Sequence, residues 1–162
     1  MKYAEFQINI YFKKTIPHAQ AESQNRKPLR CIEDACVPID SLVTYMMELT
    51  DLLERHDCKG AILGHIGNGH LHVNPGIRTD LPNLSTRVRN LADQFYDLVN
   101  EVGGTISGEH GDGILRAGYA KKQWCEIWPL FELVKKTFDP KGIFNPDKKV
   151  PVVNTGWPTL KY

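Results

Sequence analysis

The chain has 162 residues, 41% of them apolar and 24% charged, and 20 Lys+Arg against 19 Asp+Glu leave a net charge of +1. A domain with a real core can be built at that length, while a balance this close to neutral excludes a nucleic-acid or anionic-membrane binder that works through a broad basic patch. No apolar run approaches the ~18 residues of a membrane helix, and the first 12 residues lack the apolar segment of a signal peptide.

Phe6, Ile8, Ile10 and Phe12 alternate with polar residues, the period of a half-buried strand. Residues 13–30 show no periodicity and read as a loop, long for a compact domain. Residues 31–37 read as extended, with Pro38 turning Val37 away from helix. Asp40 then suits an N-cap for a helix to about residue 56, with Leu42, Met46, Leu49 and Leu53 as its apolar stripe. Residues 61–65 and 71–74 read as strands. Asn83 suits the cap of a long helix striped by Leu84, Val88, Leu91, Phe95, Leu98 and Val102 and stopped by Gly103-Gly104. Residues 105–107 read as a short strand, and 119–137 as a helical region interrupted at Pro129 and ended by Phe138-Asp139-Pro140. From Pro151 the chain reads as a linker, so residues 1–150 are expected to be one domain and 151–162 a tail. The pattern predicts an α+β fold, an antiparallel sheet with helices packed on one face.

The four cysteines (Cys31, Cys36, Cys58, Cys125) form no C-x-x-C pair. Their number is too low for a disulfide scaffold, and buried free thiols in a reducing, cytoplasmic compartment are expected, at most peripheral to the inner membrane. Trp124, Trp128 and Phe131 sit at helical spacing and read as core, and Met46-Met47 as packing. His18, His56 and the lysine pairs 13–14, 121–122 and 148–149 read as solvated surface.

Chemistry concentrates in two segments. In residues 64–74, Asn68-Gly69 is a strong hairpin signal, because a type I′ turn needs positive φ at both central residues. With those two in the turn, Gly67 faces His70, Ile66 faces Leu71 and His65 faces His72. His65, His70, His72 and Asn74 then share one face, and Ile66, Leu71 and Val73 take the other. Imidazoles on opposed strand positions can grip one metal ion. Equally, these residues alone describe hydrogen-bonded histidines at a sheet edge. In the second segment, Glu109 offers an oxygen ligand and His110 a general base, on a loop whose glycines allow close approach of a ligand. Two histidines and a carboxylate are a common set for a catalytic divalent metal. Arg116 reads as a contact for a substrate carboxylate, or as a surface ion pair.

Together these segments resemble the C-terminal substrate domain of FAD-linked oxidases of the vanillyl-alcohol-oxidase type, a group that includes D-lactate, glycolate and D-2-hydroxyglutarate dehydrogenases. The pattern G-H-x-G-D-G-N-L-H resembles residues 64–72, G-G-x-x-S-x-E-H-G residues 103–111, F-D-P-x-G-x-x-N-P-G-K residues 138–148, and E-D-x-x-V-P residues 33–38. The motifs stand in family order over about residues 29–150. The resemblance implies a ferredoxin-like-derived fold. It also implies a divalent metal, zinc in the hydroxyacid members, on His65, His72 and Glu109. Asn74 would contact the substrate, and His110 would take the hydroxyl proton while hydride leaves the α-carbon for flavin. Asn145 would lie near the flavin ring.

Further consequences follow from the resemblance. FAD would be bound mainly by a domain absent from this chain, which alone should be inactive. An apolar face left by that missing domain would let two copies pair. Residues 159–162 and the wording of residues 108–116 resemble the subgroup with a downstream iron–sulfur domain. Two positions depart from the pattern: Asn68 stands for Asp, and His70 for Asn, a third imidazole that changes metal preference or points to solvent. Ile32 stands where some members carry a substrate-binding Lys, with Arg30 nearby. The residues by themselves also leave open a metal-dependent hydrolase and a non-enzymatic metal or small-anion binding module.

Overall fold

The computed structural model describes residues 25–150. The strand expected over 6–12, His18, the Lys13-Lys14 pair and the tail from Pro151 lie outside the described residues. The described residues form two compact units, one up to Glu109 and one from His110.

The first unit is built on one long strand, β4 (His70–Arg78). Along one edge runs β3 (Lys59–His65), antiparallel from Lys59 opposite Gly76 to His65 opposite His70. Two short antiparallel strands share the other edge, β1 (Arg26–Pro28) beside residues 76–78 and β2 (Ala35–Cys36) beside residues 70–71. Two helices belong to this unit, α1 (Leu42–Arg55) and α2 (Leu84–Glu101), and they pack on each other. With two further helices in the second unit, the described fold is α+β with a four-stranded antiparallel sheet.

The core follows from the two periodicities. Leu71, Val73 and Ile77 alternate down one face of β4 and are buried. Tyr45, Leu49, Leu52 and Leu53 of α1 and Val88, Leu91, Phe95, Leu98 and Val99 of α2 are buried as well. Phe95 meets Tyr45 and Tyr96 edge-on, with ring centroids 6.5 and 5.1 Å away. The Tyr96 hydroxyl donates to the Cys31 carbonyl at 3.0 Å, so this large ring is buried without a stranded polar group.

Several local expectations change. Residues 26–28, expected in a loop, form β1, because β4 runs four residues past the expected Asn74 and its edge groups need partners. Arg26 fixes this edge by donating to the Asp57 carboxylate at 2.7 Å and the Gly76 carbonyl at 3.3 Å. Asp40 lies inside a 3-10 turn (Ile39–Ser41), and Ser41 holds the N-cap of α1 with no side-chain cap bond. The stripe of α1 is rotated: Tyr45 and Leu52 are buried, Leu42 and Met46 are half-buried, and Met47 is exposed. Asn83 does cap α2, from a left-handed conformation and without a side-chain bond, and α2 stops at Gly103-Gly104 as expected. Residues 105–107 make a single bridge, Thr105 to Cys36, in place of a strand.

The second unit carries α3 (Ala117–Gln123) and α4 (Trp128–Phe138). The break falls at residues 124–127, just before Pro129, which sits in the first turn of α4 where its missing N–H leaves no bond unmade. Asp139 closes α4. Its carboxylate accepts Lys135 Nζ at 2.5 Å and the backbone N–H groups of Ile143 and Phe144, each at 2.9 Å. The Lys135 ammonium, aided by these N–H groups, holds the Asp139 carboxyl below the usual carboxylate range. Trp128 is buried as expected, but Trp124 is 41% exposed. Lys149 is not simply solvated: its Nζ lies 2.6 Å from the buried Asp112 carboxylate.

Cys31 and Cys58 are buried, Cys36 is half-buried and Cys125 exposed, and all four are free thiols. Burial pushes Cys31 up to about 12 and Cys58 to about 11, so both stay protonated near neutral pH. Among the described residues no helix is long and apolar enough to cross a membrane.

Candidate metal-binding site

The site grows from the turn between β3 and β4. Residues Ile66–Asn68 form a 3-10 turn, and only Gly69 takes a left-handed φ, of 70°. The loop therefore spans four residues, where a two-residue type I′ turn was expected. The cause is tertiary. Val37 donates its N–H to the Gly69 carbonyl at 2.9 Å, and the Cys36 thiol reaches the Asn68 carbonyl at 3.1 Å. A Cβ on Gly69 would lie 1.9 Å from the Val37 carbonyl oxygen. The approach of β2 and the chain after it selects the wider turn.

The wider turn moves the register. His65 pairs with His70, and His72 pairs with Leu63, so His65 and His72 are diagonal neighbours and not directly opposed. The slip is two residues, and only an odd slip would send side chains to the other face. His65, His70, His72 and Asn74 therefore keep their common face. Their rings converge, with centroids 5.6 Å apart for His65–His70, 5.9 Å for His65–His72 and 4.5 Å for His70–His72.

Glu109 reaches this cluster from the loop after Thr105. Its Oε1 lies 3.1 Å from His72 Nε2 and 3.7 Å from His65 Nε2. One donor atom from each of His65, His70, His72 and Glu109 lies within 4.8 Å of the other three. Ligands on opposite sides of an ion with bonds of ~2.0–2.1 Å stand about 4.2 Å apart, and the Glu109 oxygen, at 3.1 and 3.7 Å from the His72 and His65 nitrogens, lies within that span. The donor chemistry fits as well, with imidazole nitrogens and a carboxylate oxygen together.

Below the cluster lies a residue to which sequence reasoning gave no role. Asp34 is fully buried, with φ at 77°. Its Oδ1 accepts from His70 Nε2 at 2.9 Å and from the Glu109 N–H at 3.0 Å, and its Oδ2 accepts from Ser107 Oγ at 2.9 Å. Its backbone carbonyl accepts the Gly108 N–H at 2.7 Å. The sole signal in the sequence was its place in the Glu33-Asp34 stretch. His70, in turn, does not point to solvent; it is 6% exposed. Asp34 also acts on Cys36, whose thiol pKa is raised by burial and by the Asp34 charge.

The first unit thus brings together His65, His72 and Glu109 as expected, and adds His70 and Asp34. Asn74 is half-buried on the imidazole face, one alternation beyond His72. His110, Arg116 and Asn145 belong to the second unit. His110 is exposed. Arg116 is buried, not a surface residue, and its guanidinium donates to the Gly111 carbonyl. Asn145 is exposed at φ 44°, beside an apolar groove lined by Phe131, Val134 and Phe144.

Comparison with known proteins places these motifs in context. The pattern of the FAD linked oxidases, C-terminal domain, matches residues 8–149. The chain is 33% identical over 123 residues to a D-2-hydroxyglutarate dehydrogenase of Haemophilus influenzae, covering 75% of this chain and 12% of that protein. It is 34% identical over 125 residues to the glycolate oxidase subunit GlcD of Bacillus subtilis, covering 75% of this chain and 26% of the relative. A D-lactate dehydrogenase of Archaeoglobus fulgidus is 31% identical over 125 residues, covering 77% and 28%. The chain therefore spans about an eighth to a quarter of these relatives' length.

Proposed function

Since the chain belongs to the C-terminal domain family of FAD-linked oxidases, we propose that it is the substrate-side part of an FAD-dependent 2-hydroxyacid dehydrogenase acting on D-lactate, glycolate or a similar acid. The observation that carries this reading is the convergence of His65, His72 and Glu109, with donor atoms within 4.8 Å, on the two motifs of the resemblance. Relatives named for D-2-hydroxyglutarate, glycolate and D-lactate chemistry support the substrate class.

In this reading His65, His72 and Glu109 hold a divalent metal, zinc by resemblance. Such an ion supplies Lewis acidity that lowers the pKa of a bound hydroxyl, and FAD, bound mainly by a domain outside this chain, supplies the acceptor for the α-hydrogen's electron pair. Asn74, on the imidazole face, orients the substrate. His110 takes the hydroxyl proton as general base. Arg116 pairs with the substrate carboxylate, and Asn145 lies near the flavin ring. A downstream iron–sulfur module that takes electrons from the reduced flavin, pairing of two copies of this chain and a cytoplasmic location belong to the same proposal.

The test has two parts. The purified chain should bind about one equivalent of Zn²⁺ by calorimetry, with His72→Ala weakening it by more than about 100-fold. Mixed with the flavin-binding part of the same protein, the chain should reduce an artificial acceptor with D-lactate or D-2-hydroxyglutarate. His110→Ala should abolish turnover while leaving metal affinity intact. Metal binding indifferent to His72→Ala would sink the reading, and ester or phosphate hydrolysis by the chain alone would replace it with the hydrolase.

A further inference from the structure

His70 stands where the family pattern carries Asn, and its surroundings give it a specific chemistry. Asp34 is fully buried and accepts three hydrogen bonds on its carboxylate, from His70 Nε2, Ser107 Oγ and the Glu109 N–H. A carboxylate can only accept, so Nε2 of His70 carries the proton, and in the neutral ring the lone pair is left on Nδ1. Metal-ligating histidines are built in this way, one ring nitrogen donating to a carboxylate while the other is presented to the ion. Gly108 covers one side of the ring. A Cβ on Gly108 would lie 2.6 Å from His70 Nε2 and 2.7 Å from its Cδ2, so the imidazole lies flat against the bare backbone there.

We propose that His70 is a fourth metal ligand, oriented by Asp34, and that the site of this chain is a three-histidine, one-carboxylate set. The inference rests on the metal site of the proposed function and deepens it. Four protein ligands close a tetrahedral ion but leave two positions on a six-coordinate one, room for the hydroxyl and carboxylate of a 2-hydroxyacid. Asp34 is a positioning residue. It fixes the His70 ring and, through the Glu109 N–H, the loop that delivers the carboxylate ligand. Its left-handed backbone, at φ 77°, is a conformation that a short polar side chain such as Asp adopts more readily than most.

Cobalt(II) is the probe. Each imidazole bound to this paramagnetic ion shows one exchangeable, strongly shifted ring N–H proton by NMR. The wild-type chain should show three, and His70→Asn two, with cobalt affinity lowered at least about tenfold. Asp34→Asn should weaken affinity by about 10–100-fold and speed solvent exchange of one of the three signals, an effect that mere loosening of the fold would not confine to one ring. The wild-type count needs no variant and holds even if Asp34→Asn fails to fold. Two signals in both wild type and His70→Asn, at equal affinity, would overturn the fourth ligand and leave the proposed function standing. No cobalt binding by the wild-type chain would overturn both.

Discussion

The two units solve the problem of stability differently. The first buries its apolar groups: Phe95, Tyr45, Leu49, Leu91, Val88 and Val73 are all at 1% exposure or less. In the second, the buried apolar side chains among the described residues are Ala117, Ala120 and Trp128, while Leu133 is 60% and Phe138 79% exposed. Polar ties at chain reversals do the holding there: Lys135 and two backbone N–H groups on Asp139, Lys149 on Asp112, and Arg116 on the Gly111 carbonyl. The lesson is that the closely packed half is the half that carries the three hairpin imidazoles, His65, His70 and His72. Its geometry is set by close packing, which resists displacement, and the second half answers chiefly to charge.

Mutations should separate the two halves sharply. Phe95→Ala, deleting a ring wedged between Tyr45 and Tyr96, should cost about 3–5 kcal/mol in urea unfolding; a loss below about 1 kcal/mol would remove the packed core from the comparison. Gly69→Ala comes next. It puts a Cβ into the Val37 carbonyl at a left-handed position, and should cost at least about 1–3 kcal/mol, with upfield or downfield shifts of the three hairpin imidazoles as a second readout.

Asp139→Asn tests the polar half. The Asp139 pKa is lowered in the folded chain, so its contribution is whole above the unfolded value of about 3.9 and is lost as pH falls through the folded value. Thermal unfolding should show the variant melting several degrees below wild type near neutral pH and the gap closing in acid; a gap constant with pH would mean that the charge is not what holds the turn. The smallest effect is expected for Leu133→Ser on the exposed side of α4, within about 0.5 kcal/mol of wild type. A larger loss would show that this apolar face is covered in solution.

Much of this was legible in the sequence because it is local. The α2 stripe, the Gly103-Gly104 stop and the common face of His65, His70, His72 and Asn74 follow from periods of 3.6 and 2. What escaped depends on distant partners. β1 exists because residues 76–78 of β4 need an edge partner about 50 positions away in the chain. The hairpin loop is widened by Val37, which no local turn rule contains. Asp34 joins residues 36 to 75 positions distant, and a lone Asp at a loop end gives no periodic sign of that. Arg116 was hidden for the same reason, since its burial depends on the fold of the loop before α3.

The Gly108 and Glu109 amides lie in a stretch that is open to water, yet both donate to Asp34. Deuterium should therefore enter them slowly, at the pace at which the whole first unit opens and not at that of an ordinary surface loop. A segment so tethered does not work as a flap. It is a fixed floor, from which the exposed Glu109 carboxylate extends toward His65 and His72.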